Sequence, residues 1–196
     1  MVLDRRELII EAAAKSFALF GYKATTMEQV AKIANVGKGT IYTFFVNKED
    51  LFQEVLDRLI KEMRLVAESV IQPEQQFFDN LSDVLERLLE FREEHALANK
   101  LSQEVREIST QMAQEGMQQI EKAIIHYIRE QVAAAIAKGE IKPCNPEMTA
   151  VVMLKLFVAL TADWKKIHAP LTKQEVAAWF RFYLQGGLGL QAAPAS

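Results

Sequence analysis

The sequence predicts an all-α protein, a short N-terminal block of three helices followed by a larger helical body, about nine helices in all. Three observations predict it. Apolar residues recur at spacings of three and four along nearly the whole chain, no stretch alternates with the period of two that marks a half-buried strand, and only 8 Gly and 5 Pro interrupt 196 residues. Half of the residues are apolar and a quarter charged, the composition of an ordinary packed chain.

The first helix is marked by Leu8, Ala12, Phe17 and Phe20, with Ile9, Ala13 and Ser16 filling the stripe, and Gly21 is a natural left-handed stop. Thr26 stands three residues before Gln29, the spacing of a capping box, and opens a second, short helix through Met27, Val30, Ala31 and Ile33. In the turn Asn35-Val36-Gly37, Asn tolerates positive φ and Gly serves as an N-cap without a side-chain oxygen. A third helix spans Lys38 to Phe45, with Ile41, Phe44 and Phe45 as its apolar members. Asn47 caps a fourth, with Glu49 and Asp50 in its first turn, periodic through Leu51, Val55, Leu59, Met63 and Val66 to about Ile71. Pro73 opens a fifth, through Phe77, Leu81, Leu85, Leu88 and Phe91.

Ala96 to Ile108 is helical but weakly patterned, whereas Gln111 to Lys138 is amphipathic through Ile120, Ile124, Ile128, Val132 and Ile136 and stops at Gly139. The run Lys142-Pro143-Cys144-Asn145-Pro146 breaks the chain. Two last helices cover Glu147 to Lys166 and Thr172 to Leu188, the latter ended by Gly186-Gly187, and a small-residue tail follows at 191–196.

Net charge is −3, yet residues 1–50 hold seven Lys/Arg against six Asp/Glu, so the acidic excess lies in the rest of the chain. A single cysteine, Cys144, forms no intrachain disulfide, and Asp4, Arg5, Arg6 and Glu7 stand where a signal peptide would be apolar. The longest nearly uncharged stretch, Ala150 to Ala162, is interrupted by Lys155 and is shorter than the roughly 20 residues that span a bilayer. These features predict a cytoplasmic protein with no membrane partner. His95, His126, His168 and Cys144 are too scattered for a metal spacing, and there is no nucleophile-base pair or Gly-rich phosphate loop, so no metal, cofactor or enzymatic role is expected.

Two short helices joined by a tight turn serve equally as plain packing or as a reader of duplex DNA. In the second role, Lys38, Gly39, Thr40, Tyr42 and Thr43 would face a major groove while Ile41 and Phe45 pack back on the first two helices. Lys38 can reach a guanine edge or a phosphate, Thr43 a base or a thymine methyl, and Gly39 allows close approach of backbone to DNA. Tyr42 offers a phenol to phosphate, and Thr25, Thr26 and Lys48 are placed to hold the flanking backbone.

The residues decide between the two. Ala34-Asn35-Val36-Gly37-Lys38-Gly39-Thr40-Ile41-Tyr42-Thr43-Phe44-Phe45-Val46-Asn47-Lys48-Glu49-Asp50-Leu51, preceded by Gly21-Tyr22 and Thr26, resembles the N-terminal signature of the TetR family of transcriptional regulators. Three positions depart from it: Asn35 stands for the usual Gly, Gly37 for Ser, and Phe44 for Tyr or His. The last two remove polar groups that the family aims at phosphate, which shifts the expected grip to Thr26, Tyr42 and Lys48.

The resemblance implies a helix-turn-helix DNA-binding domain at 1–48 and a ligand-binding and dimerisation domain at 49–190. It also implies a homodimer on a palindromic operator, repression released by a small hydrophobic effector, and DNA contacts from Thr25, Thr26, Lys38, Gly39, Thr40, Tyr42, Thr43, Phe44 and Lys48. It places the dimer interface on the last two helices, where Val151, Leu154, Val158, Trp179, Phe180 and Tyr183 are the candidates; the core of a monomer would use the same apolar stripes. Candidate pocket residues are Phe78, Leu81, Leu85, Met117, Ile120, Ile124, Tyr127 and Phe157, with Phe77, Phe91, Met112, Met153 and Trp164 around them, a set that equally fits plain core.

Overall fold

The computed structural model describes residues 4–94, 96–107 and 110–188; His95, Ile108 and the 191–196 tail lie outside them. Among the described residues there are nine α-helices and no strand. α1 (Arg5–Ala24) is capped by the Asp4 carboxylate, which accepts from Arg6 N–H at 2.9 Å. Its buried face is Ile9, Ala12, Ala13, Ser16 and Phe17. Phe20, expected in that stripe, is 45% exposed, because the helix breaks at Gly21 and Tyr22 takes the next place in the core. Gly21 is not the left-handed stop expected: at φ 81°, ψ 174° it occupies a region open to glycine alone, and one more helical turn follows on a new axis.

α2 (Met27–Ile33) starts at Thr26, whose hydroxyl accepts from Gln29 N–H at 3.2 Å. The turn after it holds Asn35 at φ 53°, as its side chain allows, and Gly37 caps α3 (Lys38–Tyr42) without a side-chain bond. α3 is shorter than the eight residues expected; Thr43 and Phe44 form a turn that returns the chain to α4 (Lys48–Glu68). Asn47 caps α4 by accepting from Asp50 N–H at 2.8 Å.

α5 (Phe77–Glu94) begins four residues later than Pro73 suggests, because Asn80 ties the 69–76 connection through Gln72 N–H, Gln72 C=O and Gln75 C=O. α6 (Ala96–Glu107) and α7 (Gln111–Ala137) follow, the latter stopped at Gly139 with φ 73°. α8 (Pro146–Val158) is capped by Asn145 and runs into a π-turn at Ala159–Asp163 and a 3-10 turn at Trp164–Lys166. α9 (Lys173–Leu188) carries a reciprocal capping box: Glu175 N–H donates to the Thr172 hydroxyl at 3.2 Å, and Thr172 N–H to the Glu175 carboxylate at 2.7 Å. Gly186 and Gly187 do not end it; both lie inside the helix.

Packing divides the chain into two compact units. One gathers the described residues up to Met63 with Arg92–Glu121; the other takes Arg64–Phe91 and the described residues from Lys122 on. The reason lies in the first unit's core, where α1, α2 and α3 alone bury too little. Phe17 meets Phe52 of α4 edge-on at 5.0 Å, and Tyr22 lies 4.9 Å from the same ring. Leu101 of α6 and Ala113 and Ile120 of α7 are buried as well, and Gly116 lets α7 press on Phe52 and Leu56, leaving a Cβ only 3.1–3.3 Å. The second unit is built on Phe77, Phe78, Leu85, Val132, Ala135, Ile141, Met153, Val176, Phe180 and Leu184.

Two ion pairs fasten α1 to α4: Arg6 to Glu54 at 2.7 Å, and Arg58 to Glu7, with Arg58 also on Glu54 at 3.4 Å. Arg58 holds the Glu7 carboxyl below its ordinary value, and Arg6 does the same for Glu54. Depressed carboxylates add stability that is complete above the ordinary value of about 4.3 and is lost as pH falls through the folded value. Thermal unfolding of the wild type and of a Glu7→Gln/Glu54→Gln variant should therefore show a gap at pH 7 that closes below about pH 4; a gap constant down to pH 3 would assign these charges no role. Phe52→Ala, at a fully buried ring, should cost about 3–5 kcal/mol in urea unfolding.

Candidate nucleic-acid interface

α2 and α3 form a corner whose inner side is apolar. Met27, Val30, Ala31 and Ile41 are buried, and Phe45 is 3% exposed with the Arg6 guanidinium 5.3 Å over its ring. With Ile41 and Phe45 turned inward, helical geometry leaves Lys38, Gly39 and Tyr42 on the outer side, all exposed, and Thr40 half-buried. An added Cβ on Gly39 would meet nothing within 4 Å. Tyr42 is 49% exposed, and Phe44 and Val46 stand out at 40% and 81%. Val46 was not among the expected contacts; its exposure depends on the turn after Tyr42, which an uninterrupted helix pattern conceals.

Two expected backbone-gripping groups have other partners. Thr25 is fully buried, its hydroxyl donating to Gly21 C=O at 2.8 Å and lying 3.1 Å from the Ser16 hydroxyl. The Lys48 ammonium donates to Tyr22 C=O and Thr25 C=O, both at 3.0 Å, and sits 4.2 Å from the Tyr22 ring centroid. It holds the end of α1, whose last carbonyls lack helical partners. The Tyr22 hydroxyl donates to Glu49 in the first turn of α4, and burial with that carboxylate pushes the phenol well above its ordinary value. Thr26 is exposed as well as capping, the Thr43 hydroxyl donates to Thr40 C=O at 2.7 Å, and Lys38 pairs loosely with exposed Glu28 at 3.5 Å.

The surface thus offers one cation on α3, one phenol, two hydroxyls and open backbone at Gly39, the set that groove reading requires. Residues 9–55 match the family described as "Bacterial regulatory proteins, tetR family". The uncharacterized HTH-type transcriptional regulator YhgD of Bacillus subtilis is 51% identical over 96% of this chain and 98% of its own. The chain belongs to the TetR family. It is therefore a DNA-binding transcriptional regulator, from a family of regulators rather than enzymes.

The probable acrEF/envCD operon repressor of Escherichia coli K12 is 34% identical over 59% of this chain and 54% of that protein. The reduced form of E. coli NemR matches the fold with a TM-score of 0.76 and 18% identity, covering 97% of this chain and all of the other.

The second unit separates the remaining candidates. Phe78 and Leu85 are core, Leu81 and Phe157 pack against it, and Ile124 and Tyr127 are half-buried on α7. Met117 and Ile120 belong to the first unit, so the expected pocket residues do not form one set. A cleft of about 110 Å³ is lined by Ile71, Phe77, Leu81, Val84, Tyr127, Ile128 and Met153, among others. The Tyr127 hydroxyl is buried with no hydrogen-bond partner among the described residues, and burial raises its pKa. On α8 and α9, Phe180 belongs to the unit's own core at 1% exposure, and Leu154 is buried at 5%. Val151 and Val158 are half-buried, while Trp179 and Tyr183 are exposed together with Met148, Val152 and Phe182, which the sequence stripe did not single out. Trp179 stacks on Tyr183 and meets Phe182 edge-on.

His126 pairs with Glu130 at 3.1 Å and His168 stacks on Trp164 at 4.1 Å; among the described residues no three metal-ligating groups converge. Among the described residues no helix is long and apolar enough to cross a membrane. The half-buried Lys48 ammonium is engaged by carbonyls of α1 and not by solvent alone. Lys48→Ala should lower the unfolding temperature and weaken DNA binding while leaving the slope of log affinity against log salt unchanged; a slope smaller by about one would mean that the amine reaches phosphate.

Proposed function

We propose that the protein is a cytoplasmic repressor that binds a palindromic operator as a homodimer and is released by a small hydrophobic effector. The observation that carries the reading is the two-sidedness of the corner: Ile41 and Phe45 are buried, while Lys38, Gly39 and Tyr42 of the same segment are open to solvent. Such a helix enters a major groove, Lys38 and Thr43 at base edges, Thr26, Thr40 and Tyr42 at the flanking backbone, with Phe44 and Val46 against sugar or thymine methyls.

A dimer is supported by the aromatic face of α9. Trp179, Phe182 and Tyr183 stand exposed as one ring cluster on α9, and Met148 and Val152 of α8 are exposed too, apolar surface of the kind that marks an interaction site. A two-fold pair of reading helices requires a palindrome whose half-sites lie near a multiple of roughly 34 Å apart.

For release, the cleft beside Tyr127 is mostly apolar, with Gln72, Asn80, Gln131, Lys138 and Glu140 also lining it and one unpartnered hydroxyl on Tyr127, which suits a largely apolar effector with a few hydrogen-bonding groups. At about 110 Å³ it is smaller than the roughly 300 Å³ and upward of ligand sites, so an effector binds by widening it, and that differential affinity couples ligand to DNA.

Selection of random duplex DNA by the purified protein should enrich a palindrome, and Tyr42→Ala should weaken binding to it by about tenfold or more; an absence of enrichment would overturn the operator reading. Trp179→Ser/Phe182→Ser should sediment as a folded monomer with unchanged circular dichroism, and a stable dimer in that variant would move the interface elsewhere.

A further inference from the structure

Glu104, on α6, is the one charged residue among the described residues that is buried, at 4% exposure. A carboxylate is costly to remove from water unless donors surround it. Here they do. The backbone N–H of Lys23 donates to both of its oxygens, at 3.2 and 3.4 Å, and the Thr110 hydroxyl donates to Oε1 at 2.6 Å. The Thr110 hydroxyl also accepts from Ala113 N–H at 3.4 Å, at the start of α7. The bonds that end on the carboxylate are charge-assisted, stronger than neutral ones.

The carboxylate seats itself on Gly21. A Cβ there would collide with Oε2, and the backbone at φ 81° admits no other residue without strain. The absent side chain at Gly21 and the buried charge at Glu104 are thus two halves of one arrangement. Gly21 bends α1 so that the Lys23 N–H leaves the helical ladder, and the same missing side chain leaves room for the anion that receives it.

The consequence reaches the reading helices within a few residues. Gly21 C=O accepts from the Thr25 hydroxyl at 2.8 Å, and the next residue, Thr26, caps α2. On the other side, the Lys48 cation of α4 holds the carbonyls of Tyr22 and Thr25. The corner is gripped by an anion on its amide and a cation on its carbonyls. We propose that Glu104 is a positioning residue for DNA recognition: from α6 it fixes the α1–α2 corner, so that α6 is a working part of the DNA reader. This rests on the reading that α3 contacts the operator.

The test uses the full chain with Glu104→Ala, which removes every acceptor, and Glu104→Gln, which keeps one. Binding is measured to the selected operator and to a scrambled duplex, alongside amide exchange at Lys23. Operator affinity should fall about tenfold in Glu104→Ala and by an intermediate factor in Glu104→Gln. Scrambled-duplex affinity should stay within twofold, and Lys23 exchange should speed by tenfold or more while Ile9 and Val30 stay protected.

Operator binding within twofold of wild type in Glu104→Ala overturns the proposal, as does equal loss on both duplexes, which would mean general unfolding. Should Glu104→Ala not fold, the graded loss and Lys23 exchange of Glu104→Gln decide. Should the wild type enrich no operator, the operator reading fails by itself, and unchanged Lys23 exchange in Glu104→Gln would be needed to sink the clasp as well.

Discussion

The burial of Tyr22 between α1 and α4 is the constraint on which the N-terminal unit depends. Its ring packs on Phe17 and Phe52, its hydroxyl reaches Glu49, and its carbonyl is taken by Lys48. One residue thereby joins the bent end of α1 to the first turn of α4, and everything between them, the α2–α3 corner included, is a loop closed at both ends. Closing that loop removes conformational freedom that seven- and five-residue helices could not offset by themselves, since short helices owe their stability to packing rather than propensity. α3 is held as a rigid ledge with its inner side in the core and its outer side in water.

This arrangement also accounts for an acidic protein that handles DNA. The net charge of −3 says little, because several cations near the corner have local tasks: Arg6 and Arg58 pair with Glu54 and Glu7, and Lys48 is spent on carbonyls. On the proposed reading surface stand one lysine on α3, the Tyr42 phenol, the Thr26 and Thr43 hydroxyls and open backbone, with Lys23 and Lys32 exposed on α1 and α2. Hydroxyls, a phenol and open backbone act through groove contacts more than through non-specific phosphate attraction, which favours discrimination over raw affinity.

Much of this was legible in the sequence where a single helix's own pattern determines the answer. Thr26 and Asn47 cap where their spacing says, Asn35 turns at positive φ, and Ile41 and Phe45 face inward. Legibility ended where a second element decides. Thr25 and Lys48 look like exposed polar residues at helix starts until the bend at Gly21 brings carbonyls to the ammonium and buries the hydroxyl. Glu104 sits in the stretch whose periodicity was weakest, and nothing local distinguishes it from the solvated glutamates around it. Along α8 and α9 the apolar stripe wraps too far round each helix for period alone to separate core from exposed face. Leu154 and Phe180 went inward, Val152 and Phe182 outward.

The open space around Gly39 has a bearing on how such a regulator can change. Gly21 is closed to a side chain by a carboxylate and its own backbone angle, and at Gly116 a methyl fits only if the Phe52 ring and Leu56 methyl of α4 give by a few tenths of an ångström, so folding constrains both positions. At Gly39, on the proposed DNA-facing surface, a larger residue costs the free protein no collision. Substitution there leaves the scaffold untouched and alters only what the ledge can approach, so new operator preferences can arise in this chain without first being filtered by stability.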